Sequence, residues 1–503
     1  MTDMNKEDLV VAVIGCGAMG QGIIQVALQG FCKVIAYDAN AEGAAKGRDL
    51  IVGRLDRLVE KVRLTVDDAA KMKANLSLAC DLKDLASADV VVEAIFENLE
   101  VKRDIFTQLE EIVGEEVIIA SNTSSLPIGS LARPCKHQGR IAGMHFFNPV
   151  PLMRLVEIIK GPATDERVAD DLVELGKRFG RTPVVVKDSP GFLVNMGGRA
   201  YTTEGLMLQH DAVATPSQLD AVMRDCGHFR MGPFELMDLT GIDVNYPVSM
   251  IVFEQYLNDP RLRTTPHHKS LSDSGRFGRK TKIGHYRYDE NNKAVDVPSP
   301  DHQSDAAPAA IVASATTDDE ALTELLERAG LSVKADDGSM PIVAALYGED
   351  VSQFCYRTEF DAKRLVAIDT TGDTSKRTTL MTAPGADPAC RDAVAAAFAA
   401  NGIAPTVIKD SPGFILQRMR SMIANLGCEM AQIALATPAD IDTAMKLGLN
   451  YPHGPLELVE EMGVERTYQI MEAMQTASGD DRYRPSQWLR RRAQLGLPAH
   501  TPA

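Results

Sequence analysis

Between Val10 and Val186, short apolar runs alternate with segments long enough for helices. The runs Val10–Ile14, Lys33–Tyr37, Asp89–Ala94, Glu116–Ala120, Arg140–Phe146 and Pro183–Val186 are rich in Val and Ile. Strands covered on both faces lose the in–out alternation and read as continuous apolar runs. Helix-length spacers between such runs predict βαβ units, and hence a parallel α/β sheet over residues 1–187. From Asp188 to about Asp289, Leu, Met and Ala dominate at helical spacing with no comparable strand, which predicts an all-α domain over 188–290. Asn291–Ala310, made of Asp, Pro, Ser and Ala, reads as a linker over 291–310.

The rest of the chain echoes its first half. Lys187-Asp188-Ser189-Pro190-Gly191-Phe192 returns letter for letter as Lys409-Asp410-Ser411-Pro412-Gly413-Phe414. At the same offset Ala214-Thr215-Pro216 returns as Ala436-Thr437-Pro438, and Gly232-Pro233-Phe234-Glu235-Leu236 as Gly454-Pro455-Leu456-Glu457-Leu458. Matches at one constant spacing predict an internal duplication of the helical domain, with a second all-α copy over 406–503. Upstream the echo is weaker: Arg364–Asp369 resembles Arg140–His145. Residues 311–405 are too few for a full copy of the first domain, and predict a shortened α/β segment.

Composition narrows the function. A formal net charge of −16 argues against general nucleic-acid binding, so an anionic ligand needs a local basic patch. No run of about 18 apolar residues suggests a membrane span. The opening MTDMNKEDLVVAVIG lacks the basic-then-apolar layout of a signal peptide, and the eight cysteines include no CxxC pair. Free thiols in a reducing, cytoplasmic compartment are therefore expected. His267, His268 and His285 have no metal-ligand spacing, and no metal is expected.

The first apolar run leads into Gly15-Cys16-Gly17-Ala18-Met19-Gly20 and then a helical stretch. Gly15 permits a tight turn, Gly17 lets backbone approach a pyrophosphate, and Gly20 allows close helix–strand packing. The phosphates would sit against the N–H groups of the helix start, Ala18 and Met19 included. The next run ends in Asp38, a carboxylate at the right distance to accept a ribose 2′-hydroxyl and repel a 2′-phosphate. A Rossmann-like domain that binds NAD is expected.

Four further segments carry a polar group where a core element would rather have none. Ser124 follows the run ending at Ala120, His145 ends another run, Glu157 is embedded in LMRLVEII, and Asn195 lies just inside the first helix after the sheet. Each has a structural reading: a satisfied core histidine, a partner for Arg154, a helix cap, a helix-end hydrogen bonder. Together, near the carboxyl ends of strands beside a nucleotide site, they suit the oxidation of an alcohol. A histidine base of near-neutral pKa takes the proton, a carboxylate fixes its tautomer, and Ser and Asn orient the oxygen.

GCGAMGQGI, VVEAIFENLEVKRDIF, SNTSSLPI, HFFNPVPLMRLVEII and KDSPGFLVN, in this order and spacing, resemble the L-3-hydroxyacyl-CoA dehydrogenases. The resemblance covers residues 8 to about 288 and returns over 406–466. It implies NAD-dependent oxidation of (S)-3-hydroxyacyl-CoA to 3-oxoacyl-CoA, in fatty-acid or phenylacetate-type aromatic catabolism, with His145 as base and Glu157 orienting it. It implies that Ser124 and Asn195 hold the substrate oxygen, that Glu97, Lys102 and Asn148 contact the cofactor, and that Lys61 contacts CoA phosphates. The basic stretch around Lys61 also reads as a solvated face, and Arg54 stands where some relatives have serine. The family reads K-T-G-x-G-F-Y where this chain has Lys280-Thr281-Lys282-Ile283-Gly284-His285-Tyr286, a departure expected to alter that loop.

The second copy reads as catalytically silent, with Gln417 aligned to Asn195, Asp369 near the histidine position, and no matching glutamate. In short members of the family the helical domain mediates dimer contacts. The chain is therefore expected to be a homodimer or an intramolecular pseudo-dimer, in which Leu and Met faces of 416–434 meet those of 193–208. The tail Trp488–Arg492 reads as a solvated helix end. Two other readings stand beside this one: a related dehydrogenase of a free hydroxy or sugar acid, and a non-catalytic NAD or acyl-CoA sensor.

Overall fold

The computed structural model describes residues 3–502. Its contacts divide the chain into two compact units. The first comprises residues 1–196 with 434–449, and the second residues 197–433 with 450–503. The first unit thus includes the helix Pro438–Leu449, from the region read as a second helical copy.

In the first unit eight strands form one sheet in the order β3-β2-β1-β4-β5-β6-β7-β8. They are β1 (Val10–Ile14), β2 (Lys33–Tyr37), β3 (Leu76–Leu78), β4 (Val90–Glu93), β5 (Ile118–Ser121), β6 (Ile141–Phe146), β7 (Leu155–Lys160) and β8 (Thr182–Lys187). All neighbours pair in parallel except β6 and β7. The order reverses at β1, where the connection through Ala18–Gln29 leads to β2 on one side while β4 pairs on the other. In open α/β sheets that crevice, at the carboxyl ends of the strands, is where a dinucleotide binds. The buried strand residues Val11, Val13, Val34, Val90 and Val92 share one core with Ile23, Ile24 and Leu28 of the helix. Strands β3 and β7 fall outside the six predicted runs: β3 is a three-residue edge strand, and β7 breaks the βαβ alternation by turning straight back from β6.

The second unit contains the helical stretch from Gly197 and a short ribbon of β9 (Arg287–Tyr288) and β10 (Ala294–Val295). The ribbon's second strand lies inside the stretch read as a linker. A second sheet follows in the order β12-β11-β13-β14-β15-β16: β11 (Ile311–Ser314), β12 (Ser332–Val333), β13 (Ile342–Ala345), β14 (Leu365–Ile368), β15 (Arg377–Thr382) and β16 (Ala404–Lys409). It too is parallel apart from one antiparallel pair, β14 with β15. The architecture is a Rossmann-like α/β sheet and all-α segments, with a shorter α/β segment between the helical stretches.

The helical segments share their close approaches. A Cβ on Gly205 would lie 2.8 Å from Pro233, and one on Gly427 would lie 2.2 Å from Pro455. Helix Val194–His210 and helix Leu416–Gln432 were expected to meet through Leu and Met. Within the second unit they are joined instead by a buried ionic cluster, in which Glu204 receives Arg418 at 2.9 Å and Arg482 at 2.7 Å, and Tyr483 at 3.0 Å. Helical periodicity shows which face is buried, but not which buried polar groups find each other across it. Trp488 likewise departs from the solvated helix end expected of it. It is buried, donates to Ala499 O at 2.8 Å, and lies under the Arg492 guanidinium.

At the departing motif Lys282 takes the left-handed conformation (φ 62°) that a glycine would adopt freely. Its ammonium donates to Asp289 O, Glu290 O and Asn292 Oδ1 at 2.9–3.1 Å, which offsets the backbone cost. No helix among the described residues is long and apolar enough to cross a membrane.

Candidate active site

All the groups of this site lie in the first unit. The turn between β1 and helix Ala18–Gln29 is bare backbone by necessity. Gly15 has φ +98°, and a Cβ there would lie 2.6 Å from Ala94 O; one on Gly20 would lie 1.7 Å from Gly15 O. A Cβ on Gly17 would meet nothing within 4 Å, so its backbone faces open space. That geometry fits a pyrophosphate laid against the helix start. Asp38, just past β2, accepts from Cys16 N (2.7 Å) and Asn40 N (2.9 Å), which fixes its carboxylate beside the turn.

The antiparallel step between β6 and β7 has a chemical consequence. It puts His145 directly opposite Glu157 in register. His145 Nδ1 and Glu157 Oε2 are 2.6 Å apart, and both residues are buried. A buried carboxylate needs partners to remain charged. The other oxygen of Glu157 accepts from Leu193 N (3.1 Å) and Val194 N (2.9 Å), at the start of helix Val194–His210. The positive end of the helix dipole adds to those bonds. With Nδ1–H donated to a fixed carboxylate, the imidazole presents Nε2 as its acceptor. The rings of Phe147 and Phe192 flank it, 4.5 and 5.8 Å away between centroids.

Ser124 and Asn195 come together from opposite sides of the chain's order. Asn195 Nδ2 donates to Ser124 O at 3.4 Å. The loop that carries Ser124 is held by Glu97, whose Oε1 accepts from Thr123 Oγ1 (2.6 Å), Ser124 N (3.0 Å), Ser125 N (3.1 Å) and Ser125 Oγ (2.9 Å). Burial pushes the Glu97 carboxyl up, but the Thr123 hydrogen bond, the Lys102 charge and the Ser125 bonds together hold it below its ordinary value. Lys102 is almost fully buried and bridges Glu93 (2.6 Å) and Glu97 (3.3 Å). Glu93 in turn accepts from Ser121 Oγ at 2.6 Å. Glu93, Ser121 and Thr123 were not among the predicted site residues. The one signal for them was a carboxylate closing the apolar run Val90–Glu93.

Asn148 lines a separate open cleft of about 500 Å³, together with Ala18, Gln25, Arg54, Arg57, Arg63 and Leu152. Lys61 caps the C-terminus of helix Ala41–Glu60 and is exposed, outside that lining. Three arginines rather than the lysine give the cleft its positive charge. No group of three or more His, Cys, Asp or Glu among the described residues could hold a metal ion.

The sequence was then compared with those of known proteins. Residues 10–189 match the NAD binding domain of 3-hydroxyacyl-CoA dehydrogenase, and residues 191–288 and 413–501 match that family's C-terminal domain. The chain is 35% identical over 486 residues to the 3-hydroxyadipyl-CoA dehydrogenase of Escherichia coli K12, covering 96% of this chain and 97% of that one. It is 38% identical over 284 residues to the mitochondrial hydroxyacyl-coenzyme A dehydrogenase of Sus scrofa, covering 55% of this chain and 90% of that one. The crystal structure of 3-hydroxybutyryl-CoA dehydrogenase from Escherichia coli K12 superimposes with a TM-score of 0.86 at 33% identity, covering 97% of this chain and 99% of that one. With its NAD-binding sheet and its helical segments both matched, the chain belongs to the 3-hydroxyacyl-CoA dehydrogenase family.

Proposed function

We propose that the chain oxidises the 3-hydroxyl of (S)-3-hydroxyacyl-CoA thioesters through a His145–Glu157 dyad. The observation that carries this reading is the buried Glu157 carboxylate, held by two helix-start N–H groups and set 2.6 Å from His145 Nδ1. His145 Nε2 takes the hydroxyl proton as the C3–O bond becomes a carbonyl, and Glu157 stabilises the imidazolium so formed. NAD, when bound, accepts the hydride from C3. The Ser124 hydroxyl and the Asn195 amide orient the reacting oxygen. Gly15, Gly17, Ala18, Met19 and Gly20 hold the pyrophosphate and Asp38 the ribose. Glu97 and Lys102 serve the cofactor by fixing the Ser124 loop.

The basic cleft of Arg54, Arg57 and Arg63, with Asn148 at its edge and Lys61 nearby on the same helix, suits the phosphates of CoA. The reaction belongs to fatty-acid or phenylacetate-type aromatic catabolism. We further read 406–503 as a duplicate of the helical segment that replaces a dimer partner within one chain. The Glu204–Arg418–Arg482 cluster supports that reading, since it ties helix Val194–His210 to helix Leu416–Gln432.

His145→Gln tests the dyad. The expected outcome is a kcat lower by about two to four orders of magnitude with NADH affinity unchanged. Parent-rate oxidation of a 3-hydroxyacyl-CoA by that variant would sink the reading. A panel that adds free hydroxy acids separates thioester from free-acid substrates.

A further inference from the structure

A group of buried polar side chains in the second unit takes no part in the chemistry above. It is assembled from helix Val194–His210, helix Ile242–Gln255, helix Pro266–Asp273 and the segment after Leu449. Arg199 Nη1 donates to Ser249 Oγ at 2.7 Å, and Ser249 donates in turn to Asn245 O at 2.8 Å. Three neighbouring atoms are buried with no hydrogen-bond partner in the protein: Tyr451 Oη, His268 Nε2 and Asn245 Oδ1. Their side chains are deeply enclosed, at 5%, 0% and 8% exposure. The Tyr451 ring is fixed by Tyr201 and Phe229, at centroid distances of 5.8 and 5.3 Å, so its hydroxyl cannot swing out to solvent.

The cluster is weighted toward donors. Thr264 Oγ1 lies 2.8 Å from His268 Nδ1; in the tautomer in which that hydroxyl donates, Nε2 carries the proton. Burial pushes His268 down to about 3, with Arg199 and His267 adding to the effect, so the ring is neutral and offers one N–H. Burial also raises the Tyr451 hydroxyl, so it keeps its proton despite the pull of Arg199. The Asn245 amide can present its N–H₂ end if flipped. A fixed positive charge acting on a buried phenol and a buried imidazole N–H calls for an acceptor that is small, anionic and oxygen-rich. A carboxylate meets that description, and the planar guanidinium fork matches it.

Helix Val194–His210 says which carboxylate. Arg199 follows Asn195 by four residues, which places the two on one face of the helix about 6 Å apart along its axis. We propose that Arg199, Tyr451 and His268 form a receptor for the terminal carboxylate of a dicarboxylic 3-hydroxyacyl chain. The proposal rests on the dehydrogenase reading and adds to it the class of acyl tail. Tyr451 belongs to the second helical stretch, so that stretch contributes a residue to substrate selection. A chain ending in methyl would leave buried donors unmatched, and the cost of that mismatch is the source of specificity.

The test compares two (S)-3-hydroxyacyl-CoA substrates of six acyl carbons, one ending in carboxylate and one in methyl. The parent protein is expected to favour the carboxylate by about ten- to a hundredfold in kcat/KM. Arg199→Met and Tyr451→Phe are each expected to shrink that ratio; the second removes a single oxygen and guards against a folding defect. Equal kcat/KM for the two substrates in the parent overturns the proposal. So does a parallel loss on both substrates in the variants, which marks a structural role. A ratio untouched by either change overturns it as well, and leaves the cluster to ordered water. Oxidation of neither thioester sinks the dehydrogenase reading and this one with it, whereas oxidation of both at equal efficiency sinks this one alone.

Discussion

The two sheets carry the same scaffold to different ends. In the first, β6 ends with His145 opposite Glu157, and the helix that follows the Lys187–Phe192 turn brings Asn195 to Ser124. In the second, the strand after the same six letters leads to Gln417. Its Nε2 donates to Asp369 Oδ1 (3.0 Å) and Leu346 O (2.9 Å), while its Oε1 accepts from Gly348 N (2.9 Å). Asp369 faces Thr379 across the antiparallel step, where the first sheet has Glu157 facing His145. What is kept is backbone geometry. Phe192 and Phe414 both sit at positive φ, 49° and 51°. Asp188 receives Gly129 N at 2.9 Å, and Asp410 receives Val351 N at 2.7 Å. What differs is whether the polar groups are left reactive. The second set satisfies itself around a buried amide; the first leaves an imidazole nitrogen and a serine hydroxyl for a substrate.

The largest effect expected from this contrast is on turnover. Glu157→Gln keeps a hydrogen-bonding side chain but removes the charge that fixes and stabilises the imidazolium. A fall in kcat of about two to four orders of magnitude should follow, with NADH binding intact. Thr379→Val, at the matching station of the second sheet, should leave steady-state rates unchanged. Comparable losses in both variants would mean that the second sheet takes part in the chemistry.

Stability should come next. Burial pushes the Glu204 carboxyl up, but Arg418 and Arg482 pull it below its ordinary value, so it is charged inside the second unit. Glu204→Gln strands two buried guanidinium groups and should cost about 3–5 kcal/mol in denaturant unfolding. Asp211→Asn removes a partner of Arg418 that is 40% exposed, and should cost under about 1 kcal/mol. Equal costs would contradict the central place given to Glu204.

The contrast also shows where sequence reading reaches and where it stops. Strands β1 and β2 match the predicted runs residue for residue, because apolar runs between helix-length spacers leave few alternatives. Strand β7 did not announce itself, since Leu155–Lys160 is apolar on both faces around one carboxylate and no helix separates it from β6. The four catalytic candidates could be found because each is a polar residue in an apolar setting. The Glu93–Lys102–Glu97 relay could not, because its members are spread over a strand end, a loop and a helix, and only the fold brings them together. For the same reason Arg418 and Arg482 read as ordinary surface charges until the helices are packed, and Arg199 shows nothing in sequence of the polar cluster around it.

A smaller, pH-dependent effect separates the helical stretches. Burial pushes Asp220 up to about 7, against hydrogen bonds from Tyr286 Oη and the N–H groups of Phe234 and Glu235. A carboxyl whose folded pKa lies above its unfolded value binds more protons when folded, so its contribution to stability is lost as pH rises between the two values. Stability should therefore fall between about pH 4 and pH 7 by on the order of 3 kcal/mol relative to Asp220→Asn, whose profile lacks this slope. Parallel profiles in unfolding experiments would show that Asp220 titrates like an exposed carboxyl.

The smallest expected change is the most informative about what the second sheet lacks. Replacing Asp369, Thr379 and Gln417 together by His, Glu and Asn would recreate the letters of the first site. It should add no activity and no second NADH site, because the obstacle lies at the other end of the sheet. After β11 the chain runs Ala315-Thr316-Thr317-Asp318-Asp319-Glu320, with Asp319 capping the next helix through Leu322 N at 2.8 Å. Where the first sheet offers bare glycine backbone to a pyrophosphate, the second offers three carboxylates at a helix start, which repel phosphate and occupy the N–H groups that would bind it. Fluorescence titration of the triple variant should give the parent's NADH stoichiometry. A second equivalent of bound NADH would show that the cradle tolerates those acids, and that the two sheets differ only at the catalytic end.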